Sequence, residues 1–202
     1  HDFFQAEKPD YVFNFAAKMG GIWAAMTESA EFIYENLMIQ SNVIHSAYLS
    51  GVKKLLFVSS TSIFPRDCPQ PIKEEHLLTG PMEPTNLSYA IARIAGIVMC
   101  QSYDKQYGTR FISALATNLY GPNDDFDISR THVFAAMIRK FHDAVEGGQT
   151  DVELWGSGTP RREFLHVEDF ADACLFLMDR YEDPEIVNIG TGTDVSLREL
   201  AE

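Results

Sequence analysis

The segment Leu-Leu-Phe-Val at residues 55–58 decides the fold, because it is a short, wholly apolar run with clear boundaries. Two lysines precede it at residues 53–54, and a hydroxyl-rich turn, Ser-Ser-Thr-Ser, follows it at residues 59–62. An apolar run of this length that ends in a turn is typical of a strand with both faces buried. The segment therefore predicts a central strand of a sheet.

Further strands and helices alternate along the chain on both sides of this segment. Apolar runs predict strands at residues 11–15, 111–116, 152–155 and 186–189. Apolar residues at helical spacing predict helices at residues 28–50, 89–107, 132–146 and 167–180. Strands that alternate with helices of this length imply parallel βαβ units, so the predicted fold class is α/β with a doubly wound parallel sheet.

Composition and charge narrow the classes of function. The 202 residues carry a formal net charge of -13 and no cluster of Lys and Arg, which argues against a nucleic-acid partner. Cys68, Cys100 and Cys174 lie far apart, which predicts reduced thiols in the cytoplasm and neither a disulfide framework nor a zinc site. No apolar run approaches the roughly 20 residues that cross a bilayer, so we expect a soluble protein without a membrane partner. The spacing of the cysteines leads us to expect no bound metal either.

Both ends of the chain read as parts of helices, and the first residue is not Met. A dinucleotide-binding sheet normally begins with a strand and a Gly-rich turn that binds the pyrophosphate, and nothing before Tyr11 contains such a turn. We therefore expect an internal piece of a longer enzyme, with little activity by itself. The residues that distinguish NADP from NAD at the ribose 2′ position are expected to precede it.

The candidate ligand site follows from the predicted sheet, because ligands of parallel sheets bind beyond the carboxyl ends of the strands. The segments that follow three predicted strands, at residues 16–21, 59–65 and 117–122, are rich in small, hydroxyl and amide residues. Close approach of a ligand to the backbone favours such residues, although loops are polar in any case.

Tyr89 and Arg93 stand four residues apart on a predicted helix, so their side chains share one face. A phenol has an ordinary pKa of about 10, and a fixed cation one turn away favours the phenolate and lowers that pKa. The pair predicts a proton donor for a carbonyl that is reduced by hydride, with Ser60 as a second hydrogen-bond donor to the same oxygen. Taken alone, such a pair is more often found on the surface.

Four motifs, taken together and in order, identify a family. They are Ser-Ser-Thr-Ser-Ile-Phe-Pro at 59–65, Glu-Pro-Thr-Asn at 83–86 with Tyr-Ala-Ile-Ala-Arg-Ile-Ala-Gly at 89–96, Thr-Asn-Leu-Tyr-Gly-Pro at 117–122, and Trp-Gly-Ser-Gly-Thr-Pro-Arg-Arg-Glu-Phe at 155–164. Over essentially its whole length the chain resembles the GDP-L-fucose synthases, which are extended short-chain dehydrogenases. The resemblance implies an NADPH-dependent enzyme that epimerises and reduces GDP-4-keto-6-deoxy-D-mannose to GDP-L-fucose.

The resemblance also implies roles for individual residues. Tyr89 would donate the proton in reduction with Ser60 as its partner, and Arg93 would stand where the family has a lysine that binds the nicotinamide ribose. His132 matches a histidine that acts as an acid in epimerisation, and Ser62 takes the place of a catalytic cysteine. The implied cofactor-binding residues are Ala16, Ala17, Val58, Ser59, Ser60, Thr61, Tyr89, Arg93, Ala116, Thr117, Asn118, Leu119 and His132. The implied substrate-binding residues are Lys140, in the place of an arginine, Trp155 and Arg162.

Two of these positions leave alternatives open. Arg93 keeps the charge of a lysine but is planar and never deprotonates, so we expect slower reduction. Ser62 carries a hydroxyl where a thiol with a pKa of about 8.5 is the better proton carrier, so epimerisation is the activity most affected. The alternatives are a 4-keto reductase of a nucleotide sugar without epimerisation, and a catalytically weak paralogue that binds a nucleotide sugar.

Other candidates have plain structural interpretations as well. His132 taken alone is a polar residue at a helix N-terminus, and Trp155 at a strand end is a core aromatic. Arg161 and Arg162 follow a Gly-Ser-Gly turn that has no need of two guanidinium groups, so a pyrophosphate is the better interpretation of both.

The expected organisation is a partial dinucleotide-binding Rossmann domain at residues 1–122 and a partial substrate-binding region at residues 123–202. Strands and helices of the second part are expected to return to the Rossmann domain. The resemblance further implies a homodimer through the helices at residues 28–50 and 89–107.

Overall fold

The structure of the protein, a computed structural model, describes residues 1–128 and 130–202. In chain order the strands are β1 (Tyr11–Asn14), β2 (Lys54–Ser60), β3 (Phe111–Ala116), β4 (Asn118–Tyr120), β5 (Arg161–Arg162), β6 (Phe164–His166), β7 (Val187–Ile189) and β8 (Val195–Ser196). The α-helices are α1 (Asp2–Glu7), α2 (Ile22–Thr27), α3 (Ser29–Leu49), α4 (Leu87–Tyr107), α5 (Val133–Glu146), α6 (Val167–Arg180) and α7 (Leu197–Ala201). Short 3₁₀ turns occupy Thr61–Ile63, Glu74–His76 and Pro84–Asn86.

A parallel sheet forms the centre of the fold, with β1, β2, β3 and β7 side by side in that order. β2 is an inner strand, and its register places Val58 beside Ala114 of β3. The predicted α/β class with parallel strands is confirmed, and so is the inner position of residues 55–58. Outside this sheet, β4 pairs with β6 in parallel and β5 pairs with β8 antiparallel.

Helices cover both faces of β2. Leu55 and Phe57 pack in a cluster with side chains of α3 and α4. Leu56 and Val58 pack on the opposite face, in a cluster that contains side chains of α6. Because successive side chains of a strand point to opposite faces, burial on both sides explains why the run is wholly apolar. This is the doubly wound arrangement that the sequence predicts.

The predicted strand at residues 152–155 is wrong, because the structure has no strand there. The backbone carbonyl of Glu153 instead accepts a hydrogen bond of 3.0 Å from the Lys140 ammonium group. An apolar run forms a strand only where a neighbouring strand pairs with its backbone groups. The sequence also gave no signal for α2 or for the strands β4, β5, β6 and β8, since each of these strands has only two or three residues.

Gly96 allows α4 to pass very close to β2. A Cβ atom at this position would lie 2.4 Å from Cζ of Phe57 and 2.9 Å from Cδ of Gln40 on α3. Real Cβ contacts are longer than this, so a side chain at position 96 would push the three elements apart. The close approach keeps the first turns of α4, which carry Tyr89 and Arg93, against the end of β2.

The cysteines are free and mostly buried. Burial raises the pKa of Cys100 to about 12 and that of Cys174 to about 11, so both remain thiols at physiological pH. Within the described residues, no group of three His, Cys, Asp or Glu side chains could hold a metal ion. No helix in that part of the chain is long and apolar enough to span a membrane.

Candidate active site

The carboxyl end of β2 carries the first group of candidate residues. Ser60 is the last residue of this strand, and its Oγ accepts a hydrogen bond of 3.2 Å from the backbone N–H of Ser62. This bond caps the 3₁₀ turn Thr61–Ile63. A hydroxyl both donates and accepts hydrogen bonds, and this bond uses only an acceptor site of Ser60, not its hydroxyl proton.

Tyr89 lies in the first turn of α4 and is only 6% exposed. Burial raises the pKa of its phenol, and the positive charge of Arg93 opposes this shift without reversing it. Arg93 thus acts on the phenol pKa in the expected direction, but desolvation of the phenolate outweighs the attraction of the cation, so the net shift is upward. Tyr89 is protonated at neutral pH, which is the form that a proton donor needs.

Arg93 is buried one turn further along α4, with 1% of its surface exposed. Its guanidinium carbon lies 4.2 Å from the centre of the Phe57 ring, and Nη2 donates a hydrogen bond to the carbonyl oxygen of Val58. Burial lowers the pKa of Arg93, although a guanidinium group stays charged at neutral pH. Tyr89 and Arg93 are thus not a surface pair, and Arg93 is a fixed cation under the end of β2.

Several buried polar atoms near the same strand ends lack hydrogen-bond partners within the described residues. They include Nε and Nη1 of Arg93, Nδ2 of Asn14 and Oγ of Ser59. Asn14 lies opposite Phe57 in the register and Ser59 follows Phe57 by two positions, so both belong to the α3 and α4 face of the sheet. Because buried polar groups are normally paired, these atoms fit a ligand that offers hydroxyl and carbonyl oxygens.

Glu163 holds the segment that follows β3. Oγ1 of Thr117 and Nδ2 of Asn118 donate to the main-chain carbonyl of Glu163, at 3.0 and 2.9 Å. The Glu163 carboxylate accepts hydrogen bonds from the backbone N–H of Gly192 at 2.6 Å and from Oγ1 of Thr191 at 3.2 Å. Glu163 therefore joins the end of β3 to the loop after β7.

The other predicted cofactor residues, apart from Leu119, have small side chains. Ala116 is buried, and Leu119 packs against the same cluster on the α6 face. Ala16 donates its backbone N–H to the side chain of Asn14 at 3.3 Å. Ala17 and Thr61 are partly exposed.

Lys140 and Trp155 come together although they are distant in the sequence. The ammonium nitrogen of Lys140 lies 4.7 Å from the centre of the Trp155 ring, close enough for a cation–π interaction. Trp155 is 76% exposed, so its interpretation as a core aromatic is wrong. The structure thus joins two of the predicted substrate-binding residues on one surface.

The two neighbouring arginines differ in their surroundings. Nε of Arg161 pairs with Asp194 at 2.8 Å and Nη1 pairs with Glu199 at 3.3 Å, so Arg161 needs no ligand to account for it. Arg162 is exposed and donates to the carbonyl of Arg161 at 2.7 Å. In the described part of the chain Arg162 has no acidic partner, so no carboxylate neutralises the charge of its guanidinium group.

His132 is exposed at the start of α5. It is the N-cap residue of this helix, as the plain interpretation of a polar residue at a helix N-terminus expects, and its side chain makes no capping hydrogen bond. The backbone N–H of Gly21 donates to the carbonyl of Arg130 at 2.9 Å. This bond joins residues 16–21, which follow β1, to the segment that leads into His132.

Residues 1–190, which contain every candidate residue above, match the sequence pattern of the NAD dependent epimerase/dehydratase family. The chain belongs to this family. It is 58% identical over 200 residues to GDP-L-fucose synthase 1 of Arabidopsis thaliana, covering 99% of this chain and 62% of that protein. It is 54% identical over 199 residues to GDP-L-fucose synthase of Sinorhizobium fredii, covering 98% of this chain and 63% of that protein. The chain therefore spans about three fifths of the length of these curated relatives.

A solved structure agrees with the epimerase/dehydratase fold. The crystal structure of a GDP-D-glycero-L-gluco-heptose synthase from Campylobacter jejuni, in the presence of NADPH, matches with a TM-score of 0.88 and 38% sequence identity. The match covers 99% of this chain and 70% of that one.

Sequence reasoning assigned no role to two polar residues that hold the loops around the candidate residues. Glu163 ties two loops together as described, and Asn86 donates hydrogen bonds from Nδ2 to Ser62. Both lie inside the motifs at residues 83–86 and 155–164. A polar residue that belongs to a motif but has no assigned role is the signal that could have found them.

Proposed function

We propose that this chain carries catalytic residues of an NADPH-dependent epimerase and reductase that converts GDP-4-keto-6-deoxy-D-mannose to GDP-L-fucose. One observation carries the proposal: the buried, protonated Tyr89 packs in one cluster with Phe57 of β2 and Ile63 of the turn after it, with the fixed cation Arg93 one helical turn away. The names of the two GDP-L-fucose synthases at 58% and 54% identity support the substrate. The related structure determined in the presence of NADPH supports the cofactor.

In the reductive step, NADPH supplies the hydride. As the keto oxygen gains negative charge, Tyr89 donates its phenolic proton to that oxygen. Ser60 donates a second hydrogen bond to the same oxygen. The charge of Arg93 stabilises the phenolate that remains until a proton returns from solvent.

The cofactor is held at the carboxyl ends of the inner strands. The unpaired N–H groups of Arg93 and the unpaired Ser59 hydroxyl offer hydrogen bonds to ribose or carboxamide oxygens. The further cofactor-binding residues of the proposal are Ala16, Ala17, Val58, Ser60, Thr61, Tyr89, Ala116, Thr117, Asn118, Leu119 and His132.

Epimerisation uses the acidity that the ketone gives to the C–H groups beside it. His132 and Ser62 exchange protons at these two carbons. Lys140 and Arg162 offer positive charge to the GDP pyrophosphate, and Trp155 offers an exposed ring beside it.

The helices at residues 28–50 and 89–107 are proposed to form a homodimer. Exposed apolar side chains at helical spacing support this assembly, namely Tyr34 and Met38 on α3 and Ile91 and Val98 on α4. The domain division at residues 1–122 and 123–202 and a cytoplasmic location belong to the same proposal. Free cysteines are typical of the cytoplasm.

The experiment that tests the function is the decay of NADPH absorbance by the full-length protein with GDP-4-keto-6-deoxy-D-mannose, followed by identification of the product. We expect GDP-L-fucose, and a loss of at least about a hundredfold in kcat for Tyr89→Phe, which keeps the buried ring and removes only the proton donor. An unepimerised GDP-6-deoxyhexose would establish the simpler 4-keto reductase. No NADPH consumption would refute both enzyme functions.

A further inference from the structure

Asn86 links the turn after β2 to the start of α4. Its Nδ2 donates a hydrogen bond of 3.3 Å to Oγ of Ser62 and one of 3.1 Å to the carbonyl oxygen of the same residue. Asn86 ends the 3₁₀ turn Pro84–Asn86 and directly precedes α4, three residues before Tyr89. The contact therefore connects the hydroxyl at position 62 with the helix that carries the proposed proton donor of reduction.

Ser62 is fixed on its other side as well. Its backbone N–H donates to Oγ of Ser60 at 3.2 Å, so its N–H, its carbonyl and its side-chain oxygen all have partners. An amide NH₂ group is purely a donor, and Oγ of Ser62 is the acceptor of this bond. The hydroxyl proton of Ser62 is thus free to be given away, and Ser62 is exposed to whatever ligand lies above the turn.

We propose that Asn86 is a positioning residue that holds the Ser62 hydroxyl as a proton donor in epimerisation; this inference rests on the proposed function. When Ser62 protonates the carbon beside the ketone, its O–H bond breaks and a C–H bond forms from the electron pair of the enolate. The ketone is restored in the same step. The negative charge left on Oγ is stabilised by the N–H of Asn86 until water returns a proton.

This role explains how a serine can serve at a position where a thiol is the stronger acid. A hydrogen bond strengthens when its acceptor becomes charged, so a fixed donor favours the deprotonated form of the group at position 62 over the neutral form. The change in acidity that this hydrogen bond causes is small compared with the whole difference in acidity between a hydroxyl and a thiol. It is nevertheless in the direction that epimerisation requires.

A reporter thiol tests the hydrogen bond without any enzymatic activity. In the full-length Ser62→Cys variant, the rate of alkylation by iodoacetamide at position 62 is measured against pH by peptide mass spectrometry, which gives the pKa of the thiol. Adding Asn86→Ala is expected to raise that pKa by about one unit and to slow alkylation at pH 7.5 roughly tenfold. An unchanged pKa would overturn the inference.

Thr85→Ala is the matched control for a general weakening of the turn. Oγ1 of Thr85 donates to Glu83 at 3.3 Å within the same 3₁₀ turn. If Asn86 acts through its own N–H, Thr85→Ala leaves the pKa of the reporter thiol unchanged. An equal shift in both variants would show that the turn as a whole, and not Asn86, sets the pKa.

Exchange of substrate protons with D₂O separates the inference from the proposed function. With Ser62 in place and NADPH omitted, Asn86→Ala is expected to slow deuterium uptake beside the keto group of GDP-4-keto-6-deoxy-D-mannose about tenfold. Asn86→Ala exchange at the wild-type rate would overturn the positioning role. If the wild-type protein exchanges nothing while the reporter thiol still responds to Asn86, the proposed epimerisation is wrong and the hydrogen bond stands as a property of the turn.

Discussion

The ammonium group of Lys54 donates a hydrogen bond of 2.6 Å to the carbonyl oxygen of Tyr181, at the C-terminal end of α6. Two further bonds, of 3.0 and 2.9 Å, go to the carbonyls of Leu177 and Met178. The last carbonyls of a helix have no partners within the helix, so Lys54 caps α6 from the first residue of β2. The side chain is 2% exposed, and these bonds compensate for its burial.

Lys54→Met is therefore expected to lower the free energy of unfolding by about 3 kcal/mol, because one buried and two half-buried carbonyls lose a charged donor. Chemical denaturation of the two proteins measures the difference. Lys53→Met is the matched control, since Lys53 is exposed and pairs with Asp10 at the surface; it should change stability by less than about 0.5 kcal/mol. Equal effects of the two substitutions would contradict the capping role.

Gly96→Ala should destabilise the protein by about 1–3 kcal/mol, because the added methyl group overlaps Phe57 and Gln40. The loss is measured as a lower Tm and a lower denaturation midpoint. Ser102→Ala, at an exposed position of the same helix, should leave stability unchanged or slightly raised. A stable Gly96→Ala variant would mean that α4 can move away from β2 at little cost.

The rate of reduction should depend on pH through Tyr89. Because burial raises the pKa of the phenol above its ordinary value of about 10, the proton-donating form persists throughout the neutral range. We therefore expect that ionisation of Tyr89 does not change kcat/KM between about pH 7 and 9. At higher pH, where the phenol loses its proton, kcat/KM should fall. A fall centred near pH 7 that Tyr89→Phe abolishes would contradict the buried, protonated phenol.

Arg93→Lys should raise the rate of NADPH oxidation, because an ammonium group on a flexible chain can both bind a ribose hydroxyl and take part in proton transfer. The measurement is kcat for the same keto sugar. The substitution should also cost stability, by about 1 kcal/mol, since the stacking of the guanidinium on Phe57 and its bond to Val58 are lost. An unchanged, near-zero rate would favour a nucleotide-sugar-binding paralogue.

Lys140→Gln should raise KM for the GDP-sugar about tenfold and leave kcat within about twofold, because Lys140 binds the substrate away from the reacting carbons. Lys140→Arg should lower KM, since a guanidinium group contacts a pyrophosphate with two donors. Arg139→Gln is the control for net charge, because it also removes one positive charge from α5. The Arg139 side chain forms an ion pair with Asp143 on the same helix. An equal rise in KM for Arg139→Gln would mean that charge alone is responsible.

The sequence predicted the central sheet and the long helices because these elements depend on local patterns. The wholly apolar composition of residues 55–58 predicts a buried strand. Apolar residues at helical spacing predict the helices α3, α4, α5 and α6. The apolar run at residues 152–155 gave the same local signal and formed no strand. The difference is that residues 55–58 have strands on both sides, whereas a pattern within one segment contains no information about its neighbours.

The sequence by itself determined the strands of the central sheet, the long helices between them, the family motifs and the positions that carry Tyr89 and Arg93. Only the tertiary structure decided how these groups behave, because their environment is built by residues that are distant along the chain. Asn86 reaches Ser62 across 24 positions, Thr117 reaches Glu163 across 46, and Lys54 reaches Tyr181 across 127. The pKa of Tyr89 illustrates the physical reason: spacing in the sequence places a cation nearby, but burial under the packed helices determines the direction of the shift.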